Sequence, residues 1–245
     1  MPAPVSVDQA RRSLANRFRH LLGFRQTFSI SGVKYRELSA DSLRHALSRS
    51  GRGYKDFEAT FADGASMRLR CTRDRWYADI AGARFGAILA IADPLLRPGM
   101  RVLLPRGGTG FLGSWIAGRV APSGAVVSLE SDPESVEYAQ HRYRLPNASF
   151  ESGGLEALDG ETDAAFAGAL FVDFDPPSED PKGACERLWR LIRPGGWLAY
   201  VAARPAPDLQ PVLSGLSGAT VQTLSDSRET WSSIAAIKPE DDGDV

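Results

Sequence analysis

The sequence predicts an α/β protein in which a small α+β domain precedes a doubly wound, mostly parallel sheet that ends in an antiparallel hairpin. Two observations predict this sheet. After residue 80, short apolar segments alternate with amphipathic helical segments, a pattern typical of parallel strands joined by crossover helices. The last two apolar segments are joined through a polar turn at residues 225–228, and this short connection favours an antiparallel pair.

Residues 1–80 are assigned to the small α+β domain. From Val7 to Leu22, apolar residues recur at helical spacing with arginines between them, which predicts a basic amphipathic helix. A strand is expected at Thr27–Val33 and a helix at Asp41–Ser48. Asp63-Gly64 is typical of a hairpin turn, and the strands of this hairpin are predicted at Phe57–Phe61 and Ser66–Cys71.

Residues 81–239 are assigned to the doubly wound sheet. Two of its strands are entered through Pro-Gly turns, at residues 98–99 and 194–195. Helical spacing predicts helices at Phe85–Leu95, Gly110–Val120, Pro133–Arg144 and Lys182–Ile192. Short apolar runs predict strands at Arg101–Leu104, Ala125–Leu129, Ala148–Glu151, Ala169–Phe174, Trp197–Ala202, Ala219–Leu224 and Thr230–Ile237. The remaining acidic tail, residues 240–245, is expected to be disordered.

Charge is unevenly distributed, although the formal net charge of the 245-residue chain is only −1. The first 80 residues carry 15 basic and 8 acidic side chains, so the rest of the chain is net acidic. The overall balance gives no argument for attraction of the whole protein to nucleic acid or membranes. The basic first domain, however, is compatible with contacts to the phosphates of tRNA or another RNA.

Cysteine usage and hydropathy exclude several other classes of protein. Cys71 and Cys185 lie far apart, and no spacing of Cys and His residues indicates a zinc site or a disulfide framework. The N-terminal segment carries charges within its apolar pattern, unlike a secretory signal, and no run approaches the roughly 18 apolar residues of a membrane helix. A cytoplasmic protein with no metal site and no membrane contact is therefore expected.

The strongest local signal is the glycine-rich segment Val102–Gly113, which is typical of a strand, a tight turn and the start of a helix. Glycines let the backbone approach a ligand closely, and the N–H groups at the helix start favour an anionic group. Glu130 ends the next strand, where a carboxylate can accept hydrogen bonds from a ribose diol. A tight turn without a ligand is the alternative. The candidate cofactor-binding residues of this loop are Gly107, Gly108, Thr109 and Gly110.

Several segments carry a family resemblance: Leu96–Leu103, the glycine loop, Val127–Glu130, Asp173 and Leu191–Gly196. In order and spacing they resemble the class I S-adenosylmethionine (SAM) dependent methyltransferases, which have a Rossmann-like fold. Within that class the chain is most similar to the tRNA adenine-N1 methyltransferases, through Asn147–Phe150, Gly153–Glu156, Arg228, Trp231 and Lys238-Pro239. The resemblance implies SAM as cofactor, a tRNA adenine as substrate, and a seven-stranded sheet with its last strand antiparallel between its neighbours. Because homo-oligomers are common in the tRNA family, a homo-oligomer is a further expectation.

The resemblance also implies roles for single residues. Glu130 would hold the ribose of SAM, and Gly154 and Leu155 would lie against its adenine ring. Asp173 stands where the family has the residue that contacts the target nitrogen, so its predicted catalytic role is to orient the acceptor and to accept a hydrogen bond from the exocyclic amine. A plain strand end at Asp173 and a plain turn at Gly154 stay open as alternatives.

The loop departs from the family pattern at two positions. Where the family has an acid and a first glycine, which help to seat the methionine end of the cofactor, this chain has Leu104 and Arg106. Leucine cannot pair with the ammonium group of SAM, and arginine near the sulfonium adds repulsion between like charges. Arg106 could pair with Glu130 or Asp173, turn outward, or receive a carboxylate-bearing ligand. These departures predict weak SAM binding, on the order of tens of micromolar or worse.

Two other functions therefore stay open. One is a non-catalytic protein of methyltransferase fold that binds RNA or partners an active subunit. The other is an NAD(P)-dependent oxidoreductase, because Gly107–Gly113 also resembles the dinucleotide loop of the extended short-chain dehydrogenases. Those enzymes need a Tyr-x-x-x-Lys pair, and no tyrosine of this chain is followed by a lysine four positions later.

Overall fold

The computed structural model describes residues 27–38, 54–72, 82, 85–172, 180–203, 209–224 and 231–240. The chain divides into two compact units, Met1–Trp76 and Tyr77–Val245. Several predicted features lie outside the described residues: the helices at 7–22 and 41–48, the turn at 225–228, and the tail beyond Glu240.

The first unit contains a four-stranded antiparallel sheet with strand order β1-β2-β3-β4. Its strands are β1 (Thr27–Ile30), β2 (Val33–Glu37), β3 (Tyr54–Thr60) and β4 (Ser66–Thr72). The hairpin predicted around Asp63-Gly64 is confirmed, with Thr60 opposite Ser66 in the ladder. The Ala65 amide donates to Asp63 Oδ1 over 3.1 Å and closes the turn.

The single strand predicted at Thr27–Val33 is wrong, because this segment folds back on itself as the β1–β2 hairpin. Ser31 and Gly32 form the turn with φ angles of 48° and 81°. Two consecutive positive φ angles are what a two-residue type I′ turn requires. Serine is uncommon at the first of these positions, so the turn left little trace in the sequence.

The two faces of this sheet differ in polarity. On one face Tyr35, Phe57 and Leu69 are completely buried. On the other face Arg36 and Glu58 lie opposite each other and form an ion pair of 2.6 Å. This alternation is typical of an antiparallel sheet with one covered and one solvated face.

The second unit contains a seven-stranded sheet with helices on both faces. Its strands are β5 (Arg101–Leu104), β6 (Ala125–Glu130), β7 (Ala148–Ser152), β8 (Phe166–Val172), β9 (Ile192–Ala203), β10 (Thr220–Thr223) and β11 (Trp231–Ile237). Its helices are α1 (Gly86–Ala92), α2 (Phe111–Val120), α3 (Pro133–Arg142), α4 (Pro181–Leu191) and the short α5 (Gln210–Ser214). Short 3-10 turns occur at Asp93–Leu95 and Leu155–Leu158.

The strand order is β10-β11-β9-β8-β5-β6-β7. Strands β5 to β9 are parallel to one another, whereas β11 is antiparallel to both of its neighbours, β9 and β10. The predicted seven-stranded sheet with an inserted terminal strand is therefore confirmed. Because parallel strands end on the same side, the carboxyl ends of β5, β6, β7 and β8 meet at one edge of the sheet.

Two strands begin earlier than the sequence pattern predicts. β8 starts at Phe166 instead of Ala169, and β9 starts at Ile192 instead of Trp197. Gly168 interrupts the apolar run of β8, but a Cβ there would lie 2.2 Å from the Trp197 ring, so glycine makes room for the neighbouring strand. The register between β8 and β9 shifts between Phe166 and Gly168, so that Phe166 pairs with Ile192 and Gly168 pairs with Trp197.

The core lies in two layers, one on each face of the sheet. On one face Val102 and Leu104 of β5 pack with Ile116 of α2, and on the other Leu103 packs with Leu188 of α4. The central strand is thus apolar on both faces, as strands covered by helices on both sides are. Within the described residues, no helix has the length and apolar character needed to cross a membrane.

Candidate functional site

The candidate site is centred on the loop between β5 and α2, at the carboxyl edge of the sheet. The Gly107 amide donates to the Leu129 carbonyl over 2.7 Å, and this bond ties the loop to β6. A Cβ at Gly107 would lie 1.8 Å from Ser128 Oγ, so a side chain there would force the buried Ser128 to move. Gly110 has a φ of +84° and is the N-terminal cap of α2. The chain therefore enters the helix through a turn that stays close to the neighbouring strand.

Glu130, the last residue of β6, lies directly against this loop. Its Oε2 accepts a hydrogen bond from the Gly108 amide at 2.9 Å. Its Oε1 accepts from the Asp132 amide and from Ser131 Oγ, each at 3.2 Å. The structure thus brings together two residues that the sequence placed in the same site. Oε2 has a second lone pair, so it can still accept a hydrogen bond from a ligand hydroxyl.

The turn after β7 borders Glu130 on its other side. The Gly153 amide donates to the Glu130 carbonyl over 3.0 Å, and Gly153 has a φ of +138°. The Gly154 amide donates to Glu156 Oε1 over 2.6 Å, and this bond holds the pKa of the Glu156 carboxyl below its usual value. The predicted residues Gly154 and Leu155 therefore lie beside the same strand end as Glu130.

Glu156 was not among the predicted site residues. Its carboxylate crosses the position that a side chain at Gly154 would occupy, with Oε2 2.7 Å from a Cβ built there. The signal in the sequence is the acid that follows two glycines at the start of a turn, a pattern that also occurs in plain turns.

Leu104 and Arg106 occupy contrasting environments. Leu104 is completely buried and packs in the core with Val102 and Ile116, so it offers no polar group to a ligand. Arg106 is exposed, and no ion pair joins it to Glu130 or to any other residue that the structure describes. The alternative in which Arg106 pairs with Glu130 is therefore wrong. Asp173 lies outside the described residues, and its predicted role stays a prediction.

The geometry of the loop fits the nucleoside part of an adenosine-containing cofactor. Gly108 has a φ of +54°, and a Cβ there would meet nothing within 4 Å, so the loop is open on the side of this residue. Glu130 supplies a carboxylate at the adjoining strand end. No acid stands at position 104 for the methionine ammonium. Across the described part of the chain, no group of three or more His, Cys, Asp or Glu residues is placed to hold a metal ion.

Comparison with solved structures extends this description. A SAM dependent methyltransferase from Aquifex aeolicus superposes with a TM-score of 0.50 at 19% identity, covering 65% of this chain and 88% of that one. A SAM-dependent O-methyltransferase from Thermotoga maritima superposes with a TM-score of 0.51 at 15% identity, covering 74% of this chain and 77% of that one. The fold is that of class I methyltransferases.

Sequence comparison supports the same assignment. Residues 106–200 match the family described as "Methyltransferase domain". The match to this family, together with the fold, implies SAM as the cofactor. The match begins at Arg106 and includes Glu130, Gly154 and Leu155, so the geometry described above lies within it.

The curated relatives that match this chain are named for acceptors other than tRNA. One is "Probable phthiotriol/phenolphthiotriol dimycocerosates methyltransferase 2" of Mycobacterium ulcerans (strain Agy99), 29% identical over 127 residues. This match covers 52% of this chain and 48% of the relative, so the chain spans about half the length of the curated relatives it matches. Neither the name of this relative nor the family's description supports the resemblance to tRNA adenine-N1 methyltransferases.

Proposed function

We propose that this protein transfers a methyl group from SAM to an acceptor bound at the carboxyl edge of the seven-stranded sheet. The observation that carries the proposal is the contact of the Glu130 carboxylate with the Gly108 amide. It places a carboxylate beside an open glycine loop at a helix start, inside the matched methyltransferase domain. Carboxylates in this position suit the two hydroxyls of a ribose.

Different residues at this edge of the sheet would bind different parts of SAM. The backbone of Gly107, Gly108, Thr109 and Gly110 would allow close approach of the cofactor, and Glu130 would accept hydrogen bonds from its ribose hydroxyls. Gly154 and Leu155 would lie against the adenine ring. SAM supplies a methyl group activated by its sulfonium. The chain must orient the acceptor and take up a proton where the acceptor carries one, which is the role we propose for Asp173.

The acceptor is open to two chemical classes, each favoured by a different observation. The names of the curated relatives favour an acceptor of the phthiotriol dimycocerosate class. The excess of basic residues in the first 80 positions favours a nucleic acid, for which a tRNA adenine is the first candidate. Transfer of a labelled methyl group from SAM to each acceptor, measured side by side, distinguishes the two.

A second function is favoured by Leu104. Because this side chain is sealed in the core, the ammonium of SAM has no partner at that position. If the protein does not bind SAM, its function is that of a non-catalytic protein of this fold, which binds RNA or supports an active subunit.

Calorimetric titration with SAM, S-adenosylhomocysteine and NADP separates these functions. We expect SAM and S-adenosylhomocysteine to bind and NADP not to bind. Glu130→Gln should weaken S-adenosylhomocysteine binding by about tenfold, because the ribose loses a charged acceptor. Glu137→Gln, on the exposed side of α3, is the matched control and should leave the affinity unchanged. Absence of SAM binding by the unmodified protein would overturn the proposal, and binding of NADP alone would replace it with the oxidoreductase.

A further inference from the structure

We propose that Gly82, Phe85 and Phe111 form an aromatic clamp that positions the glycine loop for cofactor binding. The inference rests on the proposed function, since it concerns how the loop that receives SAM is held. Phe111 directly follows the turn that joins β5 to α2, and Gly82 and Phe85 precede both this turn and the matched methyltransferase domain. They would act on the cofactor only through the loop, which makes them positioning residues.

The first contact of the clamp is a stack of two aromatic rings. Phe111 is the first residue of α2 and follows Gly110 directly. Its ring lies parallel to that of Phe85, with centroids 5.5 Å apart and an interplanar angle of 11°. Phe85 is buried and sits immediately before α1. The stack therefore joins the start of α2 to the start of α1.

The second contact is made by the backbone of Gly82. The Phe85 amide donates to the Gly82 carbonyl over 3.1 Å, so these residues form a tight turn. Gly82 has a φ of +72°, and a Cβ there would lie only 2.1 Å from Phe111 Cζ. The turn thus approaches the Phe111 ring so closely that no side chain fits between them. Glycine is required at this position by both its backbone angle and the lack of space.

The start of α2 is held from its other side as well. A Cβ at Gly110 would lie 2.6 Å from Ala139 Cβ and 3.0 Å from the Phe150 ring. Ser114 Oγ also donates to the Phe111 carbonyl over 2.8 Å. The backbone at the start of α2 is therefore tightly packed on this side, so a displacement of Phe111 is transmitted to the first turn of α2 and to the loop that precedes it. Packed interiors transmit such shifts because they contain few voids.

The test is Gly82→Ala, with binding of S-adenosylhomocysteine measured by calorimetry well below the unfolding temperature. We expect the Kd to rise by about tenfold, because the methyl group pushes the Phe111 ring aside and misplaces the loop. Gly86→Ala is the matched control, since a Cβ at Gly86 meets nothing within 4 Å, and its Kd should not change. Ile91→Ala, a buried residue of α1, should lower Tm while leaving the Kd unchanged.

A double-mutant cycle shows whether the effect passes through the ring. Phe111→Leu should itself raise the Kd, and adding Gly82→Ala to it should change the Kd by less than about twofold, because the ring that Gly82 contacts is gone. Equal Kd values for Gly82→Ala and the unmodified protein would overturn the clamp and leave the proposed function intact, as would additive effects in the cycle. A failure of the unmodified protein to bind S-adenosylhomocysteine would overturn the proposed function and the clamp together.

Discussion

Arg106 brings a positive charge to the sheet edge at which a positively charged cofactor is proposed to bind. Arg106→Gln is expected to lower the Kd for SAM by about threefold at low salt, since it removes repulsion from the sulfonium. The Kd for S-adenosylhomocysteine, which lacks the sulfonium, should change less. Arg193→Gln, an exposed residue at the opposite edge of the sheet, is the matched control. Calorimetry in low and high salt measures both effects, and an equal gain for the two ligands would contradict the charge argument.

At the level of single residues, part of the candidate site could be predicted from the sequence and part could not. The proximity of Gly108 and Glu130 follows from the sequence, because Gly108 follows β5 and Glu130 ends the neighbouring parallel strand β6. The burial of Leu104 follows from its place in an apolar strand. The clamp could not be predicted, because Gly82 and Phe111 lie far apart in the chain and no periodic pattern links a glycine to the ring it approaches.

Lys238, the residue after β11, binds the chain at the junction between α4 and β9. Its Nζ donates to the carbonyls of Trp189 and Ile192, at 3.0 and 2.7 Å, where α4 ends and β9 begins. Lys238→Met should lower the free energy of unfolding by about 1–3 kcal/mol, because half-buried carbonyls lose a charged donor. Urea unfolding measures this change. Lys182→Met, which removes only an exposed pair with Glu186 at 3.7 Å, should cost less than about 0.5 kcal/mol. Equal losses in the two variants would rule out the capping role.

The elements themselves were predictable where the local signals agree. The strand at Arg101–Leu104 is confirmed residue for residue, because a Pro-Gly turn precedes it and the glycine loop ends it. The prediction of strand boundaries failed where pairing or packing with a neighbouring strand determined the conformation of one residue. Ser31 has a positive φ in the β1–β2 turn, where serine is uncommon. Gly168 leaves room for the Trp197 ring, which would collide with a side chain at this position. In both places the partner strand decides the conformation, and local propensity does not reveal it.

For the whole molecule, the basic character of the first 80 residues gives a further prediction. If this unit binds RNA phosphates, its affinity for tRNA should fall steeply as salt rises. Lys34→Gln/Arg68→Gln, on the exposed face of the first sheet, should reduce the salt slope by about 1 for each phosphate that the variant no longer neutralises. Lys182→Gln/Arg193→Gln in the second unit is the matched control. Filter binding over a salt series measures this slope, and salt-insensitive binding, or none at low salt, would remove RNA as a partner.

The inserted position of β11 has a consequence for biosynthesis. On the ribosome β9 and β10 emerge before β11, yet β10 pairs, in the part of the chain that the structure describes, with β11 alone. Until β11 arrives, the outer edge of β9 is an open template of backbone donors and acceptors beside apolar side chains. A nascent chain halted between residues 203 and 231 would expose that template to other chains. Pairing of β11 with β9 therefore closes this edge and protects the sheet from aggregation.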